Sequence, residues 1–231
     1  MEKTAPIRVL VVDDDPVVRD TYRSMFATGS EVEIVGEVPD GALAVAAYER
    51  LRPDVVLMDL HMPIVSGIDA TREITERWPD AVVVAMTTFG AREFVVAALR
   101  AGAAGYLLKD TSLDRLANAL QLALSGNMPL SAPVRRELVS SVVDDGATPV
   151  AHDLTPRETE LLGWLAHGLS NAQIARRMHL SESSVKQYVT RIGGKLGVIS
   201  RTQILVRSIQ LGVVDPSRLP PITGGETAQY S

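Results

Sequence analysis

Short apolar runs alternate with amphipathic stretches over the first 125 residues of the chain. The apolar runs are bounded by polar or turn-forming residues and predict strands at 7–12, 33–38, 55–59, 81–87 and 104–108. The stretches between them keep apolar residues at helical spacing and predict helices at 16–27, 41–51, 67–77, 92–101 and 113–125. Strands that alternate with helices in this way predict a doubly wound α/β domain around a five-stranded parallel sheet.

The pattern changes after residue 128. Scattered Gly, Pro, Ser and Asp residues over 129–152 predict a partly helical linker. Capping boxes at Thr155 and Ser170 then open a purely helical region, for which we predict four short helices over 153–216 that include a helix-turn-helix. Pro and Gly residues in 217–231 predict a disordered tail. The chain therefore divides into a domain over 1–128, a linker, a helical domain over 153–216 and a tail.

The amino-acid composition and the apolar runs exclude several classes of protein. The 231 residues are 46% hydrophobic and 22% charged, which is ordinary for a soluble globular protein. The chain has no Cys, which excludes disulfide frameworks and thiolate zinc sites. No apolar run approaches the ~18 residues of a membrane span, and three acids over 13–15 cut the first apolar run, so no secretory signal is visible. We expect a cytoplasmic protein with no membrane partner.

The net charge of −5 is unevenly distributed along the chain. Residues 1–128 contain 12 Lys and Arg against 19 Asp and Glu, whereas residues 153–216 contain 8 against 5. An acidic first half and a mildly basic second half favour two domains with different partners, and nucleic acid is a candidate partner of the second.

Polar residues follow the predicted strands at the points where these strands end. They are Asp13, Asp14, Asp59, Thr87 and Lys109. The carboxyl ends of parallel strands lie side by side in an open α/β sheet, so these groups are expected to converge on one shallow site. Carboxylates that crowd together favour a hard cation such as Mg²⁺. With that ion and an ammonium group nearby, Asp59 could attack a phosphoryl group and hold it as an acyl phosphate.

This constellation resembles the receiver domain of bacterial two-component response regulators, over about residues 7–125. The resemblance rests on the segments at 12–14, 58–63, 87–88 and 106–109. It implies that Asp59 is the phosphoacceptor and that Asp13, Asp14 and Asp59 bind Mg²⁺ together with the backbone carbonyl of His61. It also implies that Thr87 and Tyr106 are switch residues and that Lys109 pairs with the phosphoryl group.

The second helix of the predicted helix-turn-helix has two contrasting faces. Val185, Val189, Ile192 and Leu196 form an apolar stripe, and the opposite face carries Lys186, Gln187, Thr190 and Arg191. A polar, cationic face on this helix suits the DNA major groove, although the same pattern also fits a solvated amphipathic helix.

Residues 153–215 resemble the LuxR-type DNA-binding domain through the segments at 154–158, 168–171, 174–175 and 180–186. The resemblance adds Ser183, Ser184 and Asn171 to the expected DNA contacts, and it implies that 201–210 is a dimer helix. The chain departs from the family pattern at Gln187-Tyr188, where a Thr-His pair is usual, and at Gly193-Gly194 near the helix end.

A receiver followed by this domain is the architecture of the NarL/FixJ subfamily. The resemblance implies a transcriptional regulator that a sensor histidine kinase phosphorylates on Asp59, that binds double-stranded DNA as a homodimer, and that is not a dedicated enzyme. One alternative is a regulator that binds DNA constitutively with its pocket unused. Another is an aspartyl-phosphate phosphohydrolase, but the second Asp of that motif is replaced here by His61, and the chain has no cap domain.

Overall fold

The structure is a computed structural model that describes residues 5–27, 31–88, 92–129 and 153–214. Residues 7–124 form a domain around a parallel sheet, whose five strands lie in the order β2-β1-β3-β4-β5. The strands are β1 (Ile7–Val12), β2 (Val32–Val38), β3 (Val55–Asp59), β4 (Val83–Thr87) and β5 (Gly105–Leu108). The helices between and after them are α1 (Pro16–Met25), α2 (Gly41–Leu51), α3 (Gly67–Arg77), α4 (Arg92–Arg100) and α5 (Leu113–Leu124). The predicted doubly wound α/β fold is confirmed.

Strands β3 and β4 form the centre of the sheet and are buried along their whole length. Helices cover both faces of the sheet, so strands with apolar residues on both sides are stable there. Strand β4 begins two residues later than the sequence predicted, because the Ala81 N–H donates to the Trp78 carbonyl at 2.9 Å and closes a turn.

The chain order reverses between β1 and β3, and this reversal opens a crevice at the carboxyl ends of the two strands. In doubly wound sheets ligands bind at such a switch point. Asp13 directly follows β1, and Asp59 is the last residue of β3. Helix α1 begins close by, with Asp15 as its cap, accepting from the Val17 N–H at 2.8 Å, and Pro16 in its first turn, as predicted. The fold therefore places both acidic segments at this crevice.

Residues 153–214 contain four helices: α6 (Pro156–Ala166), α7 (Asn171–Met178), α8 (Glu182–Leu196) and α9 (Arg201–Gln210). The predicted capping boxes at Thr155 and Ser170 are both formed, and a third at Ser200, which the sequence analysis missed, opens α9. The predicted linker beyond residue 129 and the predicted tail lie outside the described residues, apart from Pro129 itself.

The two domains are in contact through helices α4 and α9. Apolar residues of both helices, among them Val95, Leu99, Leu205 and Ile209, belong to one buried cluster. Polar contacts surround Arg100 at the end of α4. Its carbonyl accepts from Gln203 Nε2 at 3.0 Å, and its Nε lies 3.0 Å from the Gln210 side-chain amide, to which it donates when the amide oxygen occupies the nearer position. In the described part of the chain, no helix is long and apolar enough to cross a membrane.

Candidate functional site

Three carboxylates meet at the crevice. One oxygen from each of Asp13, Asp14 and Asp59 lies within 4.8 Å of the other two. Asp13 and Asp59 are 1% and 4% exposed, whereas Asp14 is exposed to solvent. Oxygen donors that are crowded in this way and open to solvent on one side fit a hard divalent cation that keeps some of its water.

Lys109 supplies a positive charge at the same place. Its Nζ lies 2.7 Å from Asp13 Oδ2 and 3.2 Å from Asp59 Oδ2. Burial raises the pKa of Asp59 above its usual range, and Asp13 adds to the rise, although Lys109 opposes it. Burial alone would lower the pKa of Lys109, but Asp13 and Asp59 outweigh burial and raise it. The amine is therefore held as an ammonium, while the carboxylates are only partly compensated.

Backbone contacts hold the loop that follows Asp59. A Cβ on Gly67 would lie 1.8 Å from the Asp59 carbonyl oxygen, so only glycine allows α3 to begin this close to β3. Asp40, which caps α2, also accepts hydrogen bonds from the N–H groups of Ile64 and Val65, both at 3.0 Å. Backbone hydrogen bonds, with that from Ala42 the largest contribution, lower the pKa of Asp40, so this anchor is ionised at neutral pH.

The predicted switch residues lie on the two strands next to the pocket. Thr87 ends β4 and is fully buried, and its carbonyl accepts from the Lys109 N–H at 2.7 Å. Tyr106 on β5 is also fully buried, and burial raises the pKa of its hydroxyl to about 12. His61 is exposed at the mouth of the pocket, where its ring packs edge-on against Phe94 of α4, with 4.3 Å between ring centroids. His61 therefore contacts α4 directly, and Tyr106 belongs to the same buried cluster as Val95 and Leu99 of α4.

The second candidate surface lies on helix α8. Helices α7 and α8 are joined by a tight turn at His179, which has a left-handed φ of 53°. Val185 and Ile192 face the core of the helical domain, and the opposite face exposes a polar set. That set comprises Lys186, Gln187, Thr190 and Arg191. The arrangement is a helix-turn-helix that presents a polar, cationic face.

Comparison with known proteins assigns each of the two regions to a protein family. Residues 9–121 match the family described as "Response regulator receiver domain", and residues 152–208 match "Bacterial regulatory proteins, luxR family". The transcriptional regulatory protein YxjL of Bacillus subtilis, itself uncharacterised, is 37% identical over 90% of this chain and 97% of its own length. The nitrate/nitrite response regulator NarL of Escherichia coli is 34% identical over 89% and 96%.

The chain belongs to the two-component response regulators with a LuxR-type DNA-binding domain. A crystal structure of the response regulator ChrA, from a heme-sensing two-component system, covers 91% of this chain and all of its own, with 33% identity and a TM-score of 0.50. The resemblance inferred from the sequence is thereby confirmed, and so is the general function of a DNA-binding transcriptional response regulator.

The other three predicted DNA contacts of this response regulator differ in exposure: Asn171 is buried, Ser184 is half-buried and Ser183 is exposed. Asn171 is only 6% exposed, and its Oδ1 accepts from Arg201 Nη1 at 2.6 Å. Ser183 and Ser184 each share a hydrogen bond of 2.8 Å with the hydroxyl of Ser181, the cap of α8. In this arrangement Asn171 supports the packing of α7 against α9.

Two residues near the pocket were absent from the predicted site. The Asp40 carboxylate fixes the loop that follows β3, the strand that ends at Asp59. Arg19 of α1 donates from Nη1 to the Asp13 carbonyl at 2.6 Å and so holds the backbone of the acidic pair. An Asp-Gly pair and an arginine one helical turn after a cap are common features, and in the sequence neither indicated a contact with a distant loop.

Proposed function

We propose that this response regulator is switched by phosphorylation of Asp59, which a histidine kinase carries out. The observation that supports the proposal is the convergence of Asp13, Asp14, Asp59 and Lys109 at the sheet's switch point. The carboxylates of Asp13, Asp14 and Asp59, with the carbonyl of His61, would hold Mg²⁺, which when bound supplies positive charge to the carboxylates and to the incoming phosphoryl oxygens.

In the proposed transfer, an oxygen of the Asp59 carboxylate forms a bond to phosphorus while the bond from phosphorus to the kinase's histidine nitrogen breaks. Only the ionised carboxylate is a nucleophile. The Lys109 ammonium, already 3.2 Å from Asp59, would pair with the phosphoryl oxygens. The Thr87 hydroxyl at the end of β4 would then bond to the same group, and Tyr106 would respond on the neighbouring strand. This is a local charge change that biases an element with two arrangements.

The effect of phosphorylation would reach the DNA-binding domain through helix α4. Helix α9 packs against α4 through apolar residues and through the contacts around Arg100. We propose that α9 is the dimer helix of the DNA-binding domain, so this contact competes with dimerisation. Phosphorylation would weaken the contact, release α9, and allow a homodimer to present Lys186, Gln187, Thr190 and Arg191 of each copy to double-stranded DNA.

The assignment of Asp59 is tested by intact-mass measurement after incubation with acetyl phosphate and Mg²⁺. We expect one phosphoryl group on the wild type and none on Asp59→Asn. Asp54→Asn is the matched control, because Asp54 lies directly before β3, at the end away from the pocket, where it accepts from the Arg8 N–H at 2.8 Å. Labelling of Asp59→Asn at the wild-type level would contradict the assignment.

A further inference from the structure

Arg191, on the third turn of α8, is held from two sides. Its Nε donates to Glu158 Oε1 at 2.9 Å, and its guanidinium carbon lies 4.4 Å from the centroid of the Tyr188 ring. Despite these contacts the side chain is 56% exposed. Within the described residues its two terminal nitrogens have no hydrogen-bond partner in this protein, so the outer edge of the guanidinium is open to solvent.

The anchor of this arginine is unusual, because Glu158 is only 1% exposed. Its second oxygen accepts from Lys195 Nζ at 2.8 Å and from the Thr155 N–H at 2.7 Å. Thr155 and Glu158 form the capping box of α6, so the carboxylate is fixed by a helix terminus before it contacts α8. One acid shared by two cations leaves the cluster with a net positive charge.

We infer that Glu158 and Tyr188 position Arg191 to bind one phosphate of the DNA backbone. The inference rests on the proposed function, in which the exposed face of α8 meets DNA. A guanidinium presents its nitrogens as a planar fork that matches phosphate geometry. With Nε bonded to Glu158 and one face covered by Tyr188, the remaining fork can only point outward, and it loses little conformational freedom when it binds.

The hydrogen bond from Arg191 to Glu158 favours contact of Arg191 with a phosphate over contact with a base edge. In a helix-turn-helix the N-terminal residues of the recognition helix contact the bases, whereas Arg191 is the tenth residue of α8. An arginine bonded to Glu158 on α6 cannot extend freely into a groove. Phosphates follow the rims of the groove, where a side chain held between two helices can meet them.

The first experiment separates phosphate from base contact. The full chain, treated with acetyl phosphate and Mg²⁺, is titrated by fluorescence anisotropy at several salt concentrations with two short duplexes. One duplex has an arbitrary sequence, and the other is enriched from a random pool by the wild type. We expect Arg191→Ala to weaken binding to both and to lower the log–log salt slope by about 0.9. Arg50→Ala, which removes an exposed arginine of helix α2 in the receiver domain, is the charge-matched control and should leave the slope unchanged. A loss confined to the enriched duplex, with binding to the arbitrary duplex and the salt slope unchanged, would overturn the phosphate assignment.

The second experiment tests positioning by a double-mutant cycle. Tyr188→Ala should weaken binding about two- to five-fold, the usual range for an exposed cation–π contact, without lowering the salt slope. In the Arg191→Ala background the same change should have no effect, and Tyr188→Phe should bind like wild type. Equal losses in both backgrounds would mean that Tyr188 acts through packing alone, and the positioning role would be wrong.

Glu158→Gln separates the effect of net charge on DNA binding from the effect of positioning Arg191, because the two effects have opposite signs. It raises the positive charge of the domain, so net charge alone predicts tighter binding to DNA. Loss of the tether predicts weaker binding, and only when Arg191 is present. Binding is normalised to the folded fraction from thermal melting, and the Tyr188 cycle stands if this variant does not fold. If the wild type binds neither duplex, the proposed function fails. If the wild type binds and the Tyr188 effect is additive, only this inference fails.

Discussion

Each half of the chain contains a small cluster of charged side chains, and the two clusters are balanced in opposite ways. The receiver pocket places three carboxylates, those of Asp13, Asp14 and Asp59, around one ammonium, that of Lys109. The helical domain places two cations, Arg191 and Lys195, around the single carboxylate of Glu158. The first cluster has an excess of negative charge, and the second has an excess of positive charge.

The pKa values of the two acids reflect this difference. Burial raises the pKa of Asp59, and Lys109 only partly offsets it. Burial also acts to raise the pKa of Glu158, but Lys195 and Thr155 together lower it to about 2. A carboxylate group that is incompletely compensated suits a site that accepts a cation and a phosphoryl group. A carboxylate that is fully paired suits a scaffold that holds cations toward an external anion.

The largest expected effect comes from removing the one cation of the acidic pocket. Lys109→Ala should slow phosphorylation of Asp59 by about 100-fold, because the phosphoryl oxygens lose a charged partner in a partly buried site. The initial rate of labelling by acetyl phosphate and Mg²⁺ measures this effect. Lys186→Ala, which removes an exposed lysine of α8, should label like wild type. A Lys109 variant that labels at the wild-type rate would refute the role of this cation.

The contact that connects the two domains should have a smaller effect. Arg100→Ala removes the guanidinium bond to Gln210 and shortens the apolar stem between α4 and α9. We expect the unphosphorylated chain to bind DNA more tightly by about 0.5–1.5 kcal/mol, the usual net contribution of a hydrogen bond. Anisotropy titration measures the change. Arg72→Ala, which removes an exposed arginine of α3, is the control. Unchanged or weaker binding by Arg100→Ala would show that the α4–α9 contact does not restrain the DNA-binding domain.

A fall in pH should change the contributions of Glu158 and Asp59 to folding stability in opposite directions, because their pKa values are shifted in opposite directions. The folded-state pKa of Glu158 is lowered from 4.5 to about 2, so its contribution to stability is complete above about pH 4.5 and is lost as the pH falls toward 2. The pKa of Asp59 is raised above 3.8, so its ionisation costs stability as the pH rises through the raised value.

Denaturant unfolding at several pH values measures both effects. Glu158→Gln should flatten the acid loss of stability in the helical domain, and Asp59→Asn should stabilise the receiver near neutral pH more than in acid. The same pH dependence in Glu158→Gln as in wild type would contradict the pairing of that carboxylate.

The smallest effect concerns two adjacent glycines in α8, the helix that carries the cationic cluster. A Cβ on Gly194 would meet nothing within 4 Å, so Gly194→Ala should raise stability by ~0.5–1 kcal/mol and leave DNA affinity equal or weaker. A Cβ on Gly193 would lie 2.6 Å from the Val198 carbonyl oxygen, so Gly193→Ala should lower the melting temperature. Each variant is the control for the other. A lower melting temperature for Gly194→Ala would show that this glycine is needed for packing.

The fold and the acidic pocket could be predicted from sequence because both depend on local patterns. Apolar runs that end in Asp13 and Asp59 specify buried strands, and the geometry of a parallel sheet brings their ends together. The capping boxes at Thr155 and Ser170 are equally local. For that reason the strands and most helix starts lie within two residues of the predictions.

Contacts between distant segments could not be predicted in this way. Asn171 has a polar side chain of the kind that contacts DNA, but it is buried and bonds to Arg201, thirty residues later. Glu158 is visible in the sequence as half of a capping box, and nothing local indicates that its other oxygen bonds to Arg191, thirty-three residues away. These side chains are placed by helix packing, which depends on all the helices of the domain together.

The central claim is that phosphorylation of Asp59 controls DNA binding by the helical domain. Measuring DNA affinity with and without a phosphodonor tests this claim most directly. The affinity for the enriched duplex is measured for wild type and Asp59→Asn, each with and without acetyl phosphate and Mg²⁺. The account predicts that the phosphodonor strengthens binding by the wild type and has no effect on Asp59→Asn. Binding by the wild type that is equally tight with and without the phosphodonor, on protein that mass measurement shows to be phosphorylated, would contradict the account and indicate a constitutive DNA-binding regulator.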